Sequence, residues 1–263
     1  MLIAERRRRI LDHVRLRGYA SFRDLADVVG ISESTVRRDL RVMVAEGQLG
    51  ATRGGAVQID RAVPDQARGG PPVDPVAAER AAIAARAAEL VEPASAILLG
   101  PGRTTMRLAR CLTGVEPLTV ITNSVPVTNA LLDVEHVDLV VVGGTLGRSI
   151  AAFVGPLTEQ SLKGLRGAQV FLSGEGVTVD RGLTTPNVFA AATDMALVAA
   201  ARQVIVLADH TKLGRDTMCQ TVPTQRIDVL VTDSCADPVV VQALTDAGVH
   251  VVVADHELVA GSL

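Results

Sequence analysis

The sequence predicts a small helical domain with a two-armed wing, followed by an α/β domain with a largely parallel sheet. Three observations predict it. Residues 21–43 carry two short helix patterns joined by Gly30. Residues 59–75 hold Pro64, Gly69, Gly70, Pro71, Pro72 and Pro75 with little hydrophobic periodicity, which reads as a linker. Beyond it, short apolar runs alternate with helix patterns, the arrangement of parallel β-α units. Domains are expected at 1–58 and 76–263, and 263 residues suffice to bury two cores.

Met1 to Arg17 reads as a first helix with Ile3, Ile10, Leu11 and Val14 inward. Arg6 to Arg9 are consecutive, so they point around that helix, some toward phosphate and some only to water. Ser21 to Val29 reads as a second helix, with Phe22, Leu25 and Val29 on its apolar side. Ser21 is placed to cap it, and Asp24 three residues on completes a capping-box pattern. Gly30 offers the left-handed residue that a tight turn needs, and Ser32 can cap the next helix. There Val36, Leu40 and Met43 form one stripe, while Ser34, Arg38 and Arg41 share another face with Thr35 and Arg37 beside it. Short hydroxyls and guanidinium forks at the start of an exposed helix suit contact with bases and phosphates. Glu33 can also pair with Arg37, the ordinary chemistry of a solvated helix face. Gln48 to Val57 reads as a hairpin-like wing around Ala51-Thr52-Arg53-Gly54-Gly55, so that Arg53 can reach the DNA backbone or minor groove. Together these make a winged helix-turn-helix.

Charge divides along the same boundary. Residues 1–58 hold eleven Arg against seven Asp or Glu, +4, and the remainder fifteen basic against twenty-two acidic residues, −7, which together give the net −3. A basic head on an acidic body fits nucleic acid at one end and a different partner at the other. Aromatic residues make up 2% of the chain, which argues against single-strand or RNA recognition by stacking and favours duplex DNA. No apolar run is long enough to span a bilayer and no signal-peptide core follows the N-terminus, so a soluble cytoplasmic protein without membrane partners is expected. Cys111, Cys219 and Cys235 are widely spaced, with no CxxC and no nearby paired His. They read as ordinary buried thiols, with neither a disulfide framework nor a zinc site, and no metal or cofactor is expected.

In the second domain an Ala-rich helix spans Val76 to Val91, with Ile83 and Leu90 inward. Strands are read at Ile97–Leu99, Leu118–Ile121, Val137–Val142, Val170–Leu172, Val204–Leu207, Val229–Val231 and Val249–Val253. Helices are read at 104–112, 125–132, 156–163, 188–201 and 238–246. Five of the strands run into polar or Gly-rich loops: Gly100 to Thr105, Thr122-Asn123-Ser124, Gly143-Gly144-Thr145, Ser173 to Gly176 and Asp209 to Lys212. Ligands of open α/β sheets bind beyond the carboxyl ends of the strands. Gly102, Arg103, Thr104 and Thr105 open a helix whose backbone N–H groups and hydroxyls can cradle an anion. Lys212, Arg103 and Arg148 add positive charge. Asn123, Ser124, Gly143, Gly144, Thr145, Glu175, Gly176 and Asp209 complete the candidate effector site. Gly and Thr after a strand are also common turn and cap residues.

Residues 1 to about 57 resemble the winged helix-turn-helix of the DeoR-type bacterial transcription regulators, through Arg6 to Leu11, Leu25-Ala26, Val29 to Ser32, Thr35 to Leu40 and Gly54-Gly55-Ala56. The wing departs from that pattern, with Ala51 where an Arg is usual and Arg53 where a His is usual. Residues from about 76 to 233 resemble the sensor domain of the same family, through Thr104-Thr105, Thr122 to Ser124, Gly143 to Leu146, Val154 to Leu157, Gly182 to Pro186 and Asp209 to Lys212. The resemblance implies a fold related to ribose 5-phosphate isomerase and CoA transferases. It also implies a repressor whose effector is a phosphorylated sugar or related catabolic intermediate. Departures gather in the pocket. Gly100-Pro101 replaces Asp-Ser, Arg103 a Thr and Glu175 an Asp, while Ala192 and Asp194 stand where Glu and Lys are usual. Losing that Lys for Asp removes a positive charge near the expected phosphate, so the effector is expected to differ from the family norm or to sit in another register.

The leading expectation is a DNA-binding repressor of a carbohydrate-catabolism operon. Ser32, Ser34, Thr35, Arg37, Arg38, Arg41 and Arg53 would contact double-stranded operator DNA, and a homodimer or higher homo-oligomer would span repeated half-sites. The alternative is a sugar-phosphate isomerase-like enzyme, with Glu175 or Asp209 as base and Lys212 as electrophilic partner. Ala192, where that reading needs a carboxylate, and the basic head both count against it. A nucleotide-binding module has little support, because Gly143 to Gly147 follows a strand without a GxGxxG.

Overall fold

The computed structural model describes residues 3–17, 19–45, 49–51, 55–58, 74–112 and 117–255. The chain divides into two units, Met1–Arg61 and Ala62–Leu263. Apart from Asp74 and Pro75, the stretch read as a linker lies outside the described residues.

The first unit runs α1 (Ile3–Arg17), β1 (Tyr19–Ser21), α2 (Phe22–Val29), α3 (Glu33–Ala45), β2 (Leu49–Ala51) and β3 (Gly55–Gln58). Local chemistry sets its helix ends. Ser21 Oγ accepts from Asp24 N and Asp24 Oδ2 accepts from Ser21 N, both at 3.1 Å, completing the capping box. Gly30 ends α2 at φ 67°, in the left-handed region, and a Cβ there would meet nothing within 4 Å. Backbone conformation, not space, calls for glycine at that turn. Ile10, Val14, Leu25, Val36, Leu40 and Met43 close the core. The wing forms as an antiparallel pair, β2 with β3, and β3 also pairs with β1. Arg53 lies outside the described residues.

The second unit runs α4 (Ala77–Ala88), β4 (Ser95–Leu99), α5 (Arg103–Cys111), β5 (Leu118–Thr122), α6 (Val125–Leu131), β6 (Val137–Val141), β7 (Thr145–Gly147), β8 (Ala152–Val154), α7 (Pro156–Leu162) and β9 (Gly167–Leu172). It continues through β10 (Gly176–Thr178), β11 (Gly182–Thr185), α8 (Val188–Ala199), β12 (Ala201–Leu207), β13 (Cys219–Val222), β14 (Val229–Asp233), α9 (Pro238–Asp246) and β15 (His250–Ala254). All seven strands read from the apolar runs join one parallel sheet, in the order β15-β14-β12-β9-β4-β5-β6. Their alternate residues feed two cores. Ile97, Leu99, Phe171, Ile205 and Leu207 face α4, α5 and α6, while Leu98, Val170, Leu172, Val204 and Val206 face α7, α8 and α9. Each such buried side chain contributes about 1.5–3 kcal/mol relative to exposure.

The order carries a consequence for ligands. From β4 the chain builds outward through β5 and β6, then crosses to β9 on the other side of β4 and builds outward through β12, β14 and β15. The direction of winding reverses between β4 and β9, the position where open α/β sheets present a crevice.

Two smaller sheets, β7-β8 and β10-β11-β13, lie outside the reading from apolar runs. Their strands are only three or four residues long, too short to show a period. The cysteines correct an expectation. Cys111 and Cys235 are exposed and Cys219 is half-buried, because they fall at a helix end, in a turn past β14 and at a strand start.

Candidate nucleic-acid interface and effector site

In α3 the apolar stripe is buried and Ser34, Arg37, Arg38 and Arg41 are exposed on the remaining surface, with Thr35 half-buried. Ser32 opens the helix through its carbonyl, which accepts from Thr35 N at 3.0 Å and Val36 N at 3.1 Å. Its hydroxyl lies 2.9 Å from Ser34 Oγ and 3.0 Å from Thr35 Oγ1, so the three hydroxyls form one cluster at the helix start. Arg37 is held twice, by an exposed ion pair with Glu33 at 3.5 Å and by its guanidinium carbon 4.1 Å from the centre of the Phe22 ring. Among the described residues, Arg38 and Arg41 make no ion pair.

Asp39 is the residue the sequence reading missed. It is buried, and it accepts from Arg6 Nε at 2.6 Å and Arg7 Nε at 3.3 Å. Burial pushes its carboxyl up, but the hydrogen bonds and charges of the two guanidiniums outweigh this and hold it below its ordinary value. Arg6 and Arg7 therefore clamp α1 to α3, where phosphate or water was expected. Arg8 and Arg9 are exposed beside Asp12 and Glu5.

At the carboxyl edge of the large sheet, the loops after β4, β9 and β12 are drawn together. Gly100 N donates to Phe171 O at 3.0 Å. A Cβ on Gly102 would come within 3.1 Å of Ser173 Cβ, and Lys212 Nζ donates to Gly174 O. Thr104 and Thr105 are buried, and Thr105 Oγ1 donates back to Gly102 O at 3.0 Å, so that hydroxyl serves the helix start. Arg103 is exposed, its guanidinium 3.9 Å from Asp74.

A second group surrounds the loops after β5 and β6. Asn123 is fully buried; its Nδ2 donates to Phe153 O at 2.8 Å, while its Oδ1 has no hydrogen-bond partner among the described residues. Ser124 Oγ caps α6, accepting from Val127 N at 3.4 Å. Gly143 O accepts from Thr158 Oγ1 at 3.0 Å. Gly144 adopts φ 157° against Thr158 and Val154. Thr145 and Arg148 are exposed on the β7-β8 hairpin, and among the described residues no hydrogen bond or ion pair ties their side chains to the β9 and β12 loops. Thr122 Oγ1 donates to Leu99 O at 2.7 Å and so joins the two groups of loops.

Asp209 is fully buried and multiply held. Its Oδ2 accepts from Arg80 Nε at 2.9 Å, and its Oδ1 from Thr211 N at 3.2 Å and the Thr211 hydroxyl. Burial raises the carboxyl, but the Thr211 hydrogen bond and the Lys212 and Arg80 charges hold it below its ordinary value. A carboxylate so engaged is a poor general base near pH 7. Glu175 is half-buried, with its N–H donating to Thr184 O at 2.9 Å, and Gly176 begins β10 where a Cβ would collide with Arg215 O.

Asp194 stands at one of the positions where the sequence departs from the resemblance. It lies on α8, 4% exposed, with Oδ1 buried and without a hydrogen-bond partner among the described residues. Desolvation pushes its pKa up to about 8, so near neutral pH it is mostly protonated. Position 194 therefore carries little negative charge near neutral pH.

The DeoR-like helix-turn-helix domain family matches residues 6–62, and the DeoR C terminal sensor domain family matches residues 76–234. The HTH-type transcriptional regulator GlpR of Haloferax volcanii is 34% identical over 252 residues, covering 96% of this chain and 98% of its own. UlaR of Salmonella arizonae, also an HTH-type transcriptional regulator, is 30% identical over 256 residues, covering 95% and 99%. Ribose 5-phosphate isomerase A of Methanocaldococcus jannaschii is similar over 51% of this chain and 53% of its own, at 18% identity and a TM-score of 0.38, a partial likeness from which no activity follows. Both halves of the chain and its near full-length relatives agree: the protein belongs to the DeoR family, DNA-binding transcriptional regulators rather than enzymes.

Proposed function

We propose that this regulator represses a carbohydrate-catabolism operon and leaves its operator when a phosphorylated sugar or related metabolite binds at the carboxyl edge of the large sheet. The observation that carries the effector half is Asn123. Its fully buried Oδ1, just past the end of β5, has no hydrogen-bond partner among the described residues, and an acceptor left over there suits a sugar hydroxyl. Residues 102–105 open α5 and offer backbone N–H groups to a phosphate, with Lys212 and Arg103 as nearby cations. In this reading Asn123, Ser124, Gly143, Gly144, Glu175, Gly176 and Asp209 line the site, and Thr145 and Arg148 would have to reach it from the β7-β8 hairpin.

On the DNA side, Arg38 and Arg41 read or grip the duplex. Ser32, Ser34 and Thr35 set the helix start against the backbone, Arg37 is aimed by Phe22, and Arg53 extends the contact from the wing. Domain limits at 1–58 and 76–263, joined by 59–75, allow the effector to alter DNA affinity if the two states bind it differently. The protein acts as a cytoplasmic homodimer or larger homo-oligomer. Leu157 on α7 and Val188, Phe189 and Met195 on α8 are large apolar side chains left more than half exposed on elements that pack together, which fits a self-association face.

The test is sequencing of genomic fragments captured by the purified protein, with and without a panel of pentose and hexose phosphates. A repeated motif whose capture one sugar phosphate abolishes is the expected result. Capture indifferent to every phosphorylated sugar overturns the effector; no enriched motif at low salt overturns operator binding.

A further inference from the structure

The loops past β12 and β14 and the first turn of α4 bring together three side chains that the effector reading does not use. The Glu79 carboxylate, a ring nitrogen of His210 and Cys235 Sγ lie within 4.8 Å of one another. We propose that these three residues form a binding site for a divalent transition-metal ion of the zinc class, at the margin of the sensor site.

Two of the three ligands are preorganised. Asp233, fully buried at the end of β14, accepts from His210 N at 2.7 Å through Oδ2, and from His210 Nδ1 and Cys235 N at 3.0 Å each through Oδ1. One carboxylate thus fixes both the histidine ring and the backbone that carries the thiol. With Nδ1–H directed at Asp233, the lone pair belongs to Nε2, the carboxylate–histidine arrangement that orients metal-ligating imidazoles. Arg80, the residue next to Glu79, is turned toward Asp209 and Asp74, so its charge is already matched.

The donor set selects the ion. A thiolate, an imidazole and a carboxylate suit a borderline-soft cation, and three protein ligands leave a fourth tetrahedral position open. One thiolate and one carboxylate also neutralise a dication. Ligand atoms around zinc sit about 3.4–3.8 Å apart, given bond lengths of about 2.0–2.3 Å. Closure therefore needs shifts of about 1 Å, within reach of an exposed Cys235 and a half-buried Glu79. A thiol ligates only as the thiolate, so binding expels a proton and strengthens as pH rises. The widely separated sequence positions of these ligands hide the site from any spacing rule.

Cobalt(II) titration of the tag-free full chain tests this, because a thiolate ligand adds a sulfur-to-cobalt charge-transfer absorption that other donors lack. The expected result is saturation at about one equivalent, displacement by zinc(II), loss of the absorption in Cys235→Ser and its retention in Cys111→Ser and Cys219→Ser. Glu79→Gln weakens binding about tenfold or more, and Asp233→Asn by about 10–100-fold as an orienting residue, with folding checked by circular dichroism. Absence of saturable binding, or an absorption that survives Cys235→Ser, overturns the site. The outcome is independent of the operator and of the sugar effector.

Discussion

Arg80 Nε donates to Asp209 Oδ2 at 2.9 Å and ties α4 to the loop past β12, while Arg80 Nη1 donates to both carboxylate oxygens of Asp74, at 2.9 and 3.0 Å. Burial alone would weaken this guanidinium's charge, but Asp209 and Asp74 outweigh it and keep the pair ionised. Arg80→Met removes the guanidinium hydrogen-bonded to the buried Asp209, leaving Lys212 as its nearby charge, and is expected to lower stability by about 3 kcal/mol, the lower end for breaking a buried pair, in urea unfolding. Asp209 is held below its ordinary value, so its stabilisation is present above the unfolded carboxylate pKa of about 4 and lost as pH falls through the lowered one. In Arg80→Met that acid-side loss becomes smaller.

Asp194 has the opposite sign. Its folded pKa of about 8 lies above the ordinary 3.8, so its contribution is complete below about pH 4 and erodes as pH rises through the folded value. The slope approaches about 1.4 kcal/mol per pH unit between those limits. Asp194→Asn cannot ionise, and unfolding curves at pH 5 and pH 8 are expected to differ less for it than for the natural chain.

On α3, Arg38 is exposed and outside any ion pair among the described residues, whereas Asp39 beside it is buried in a clamp. Arg38→Ala is expected to cost about 1–3 kcal/mol of operator affinity and to relax preference at one base pair. Arg41→Ala is expected to weaken binding on all sequences alike and to reduce the salt slope by about 1. Asp39→Ala should act differently, lowering the melting temperature of the DNA-binding domain before any effect on sequence preference. Fluorescence anisotropy at several salt concentrations, with thermal unfolding alongside, separates the three.

Gly144 holds φ 157°, and a Cβ there would overlap Thr158 Oγ1 and crowd Val154 O at 3.2 Å. Gly144→Ala is expected to cost about 1–3 kcal/mol from backbone strain and overpacking. Gly30→Ala, with open space around it, should cost less, from its positive φ alone. Parallel thermal melts rank the two.

Much of this protein was determined by the sequence itself. The seven sheet strands, the helices between them, the Ser21 capping box and the Gly30 turn follow from periods and caps spanning a few residues, which the local chain enforces wherever it packs. The exposed arginine face of α3 follows in the same way from its apolar stripe. Only the tertiary structure decided the strand order, and with it the reversal of winding between β4 and β9. It also decided that Arg6 and Arg7 turn to Asp39, that Asp209 pairs with Arg80, that Asp194 is buried without a partner, and that Cys235 meets His210 and Glu79. A charged or ligating side chain carries no mark of its partner in its neighbours along the chain. The partner is chosen by which strands lie adjacent and which residues their loops deliver to one place, and that is a property of the packed fold.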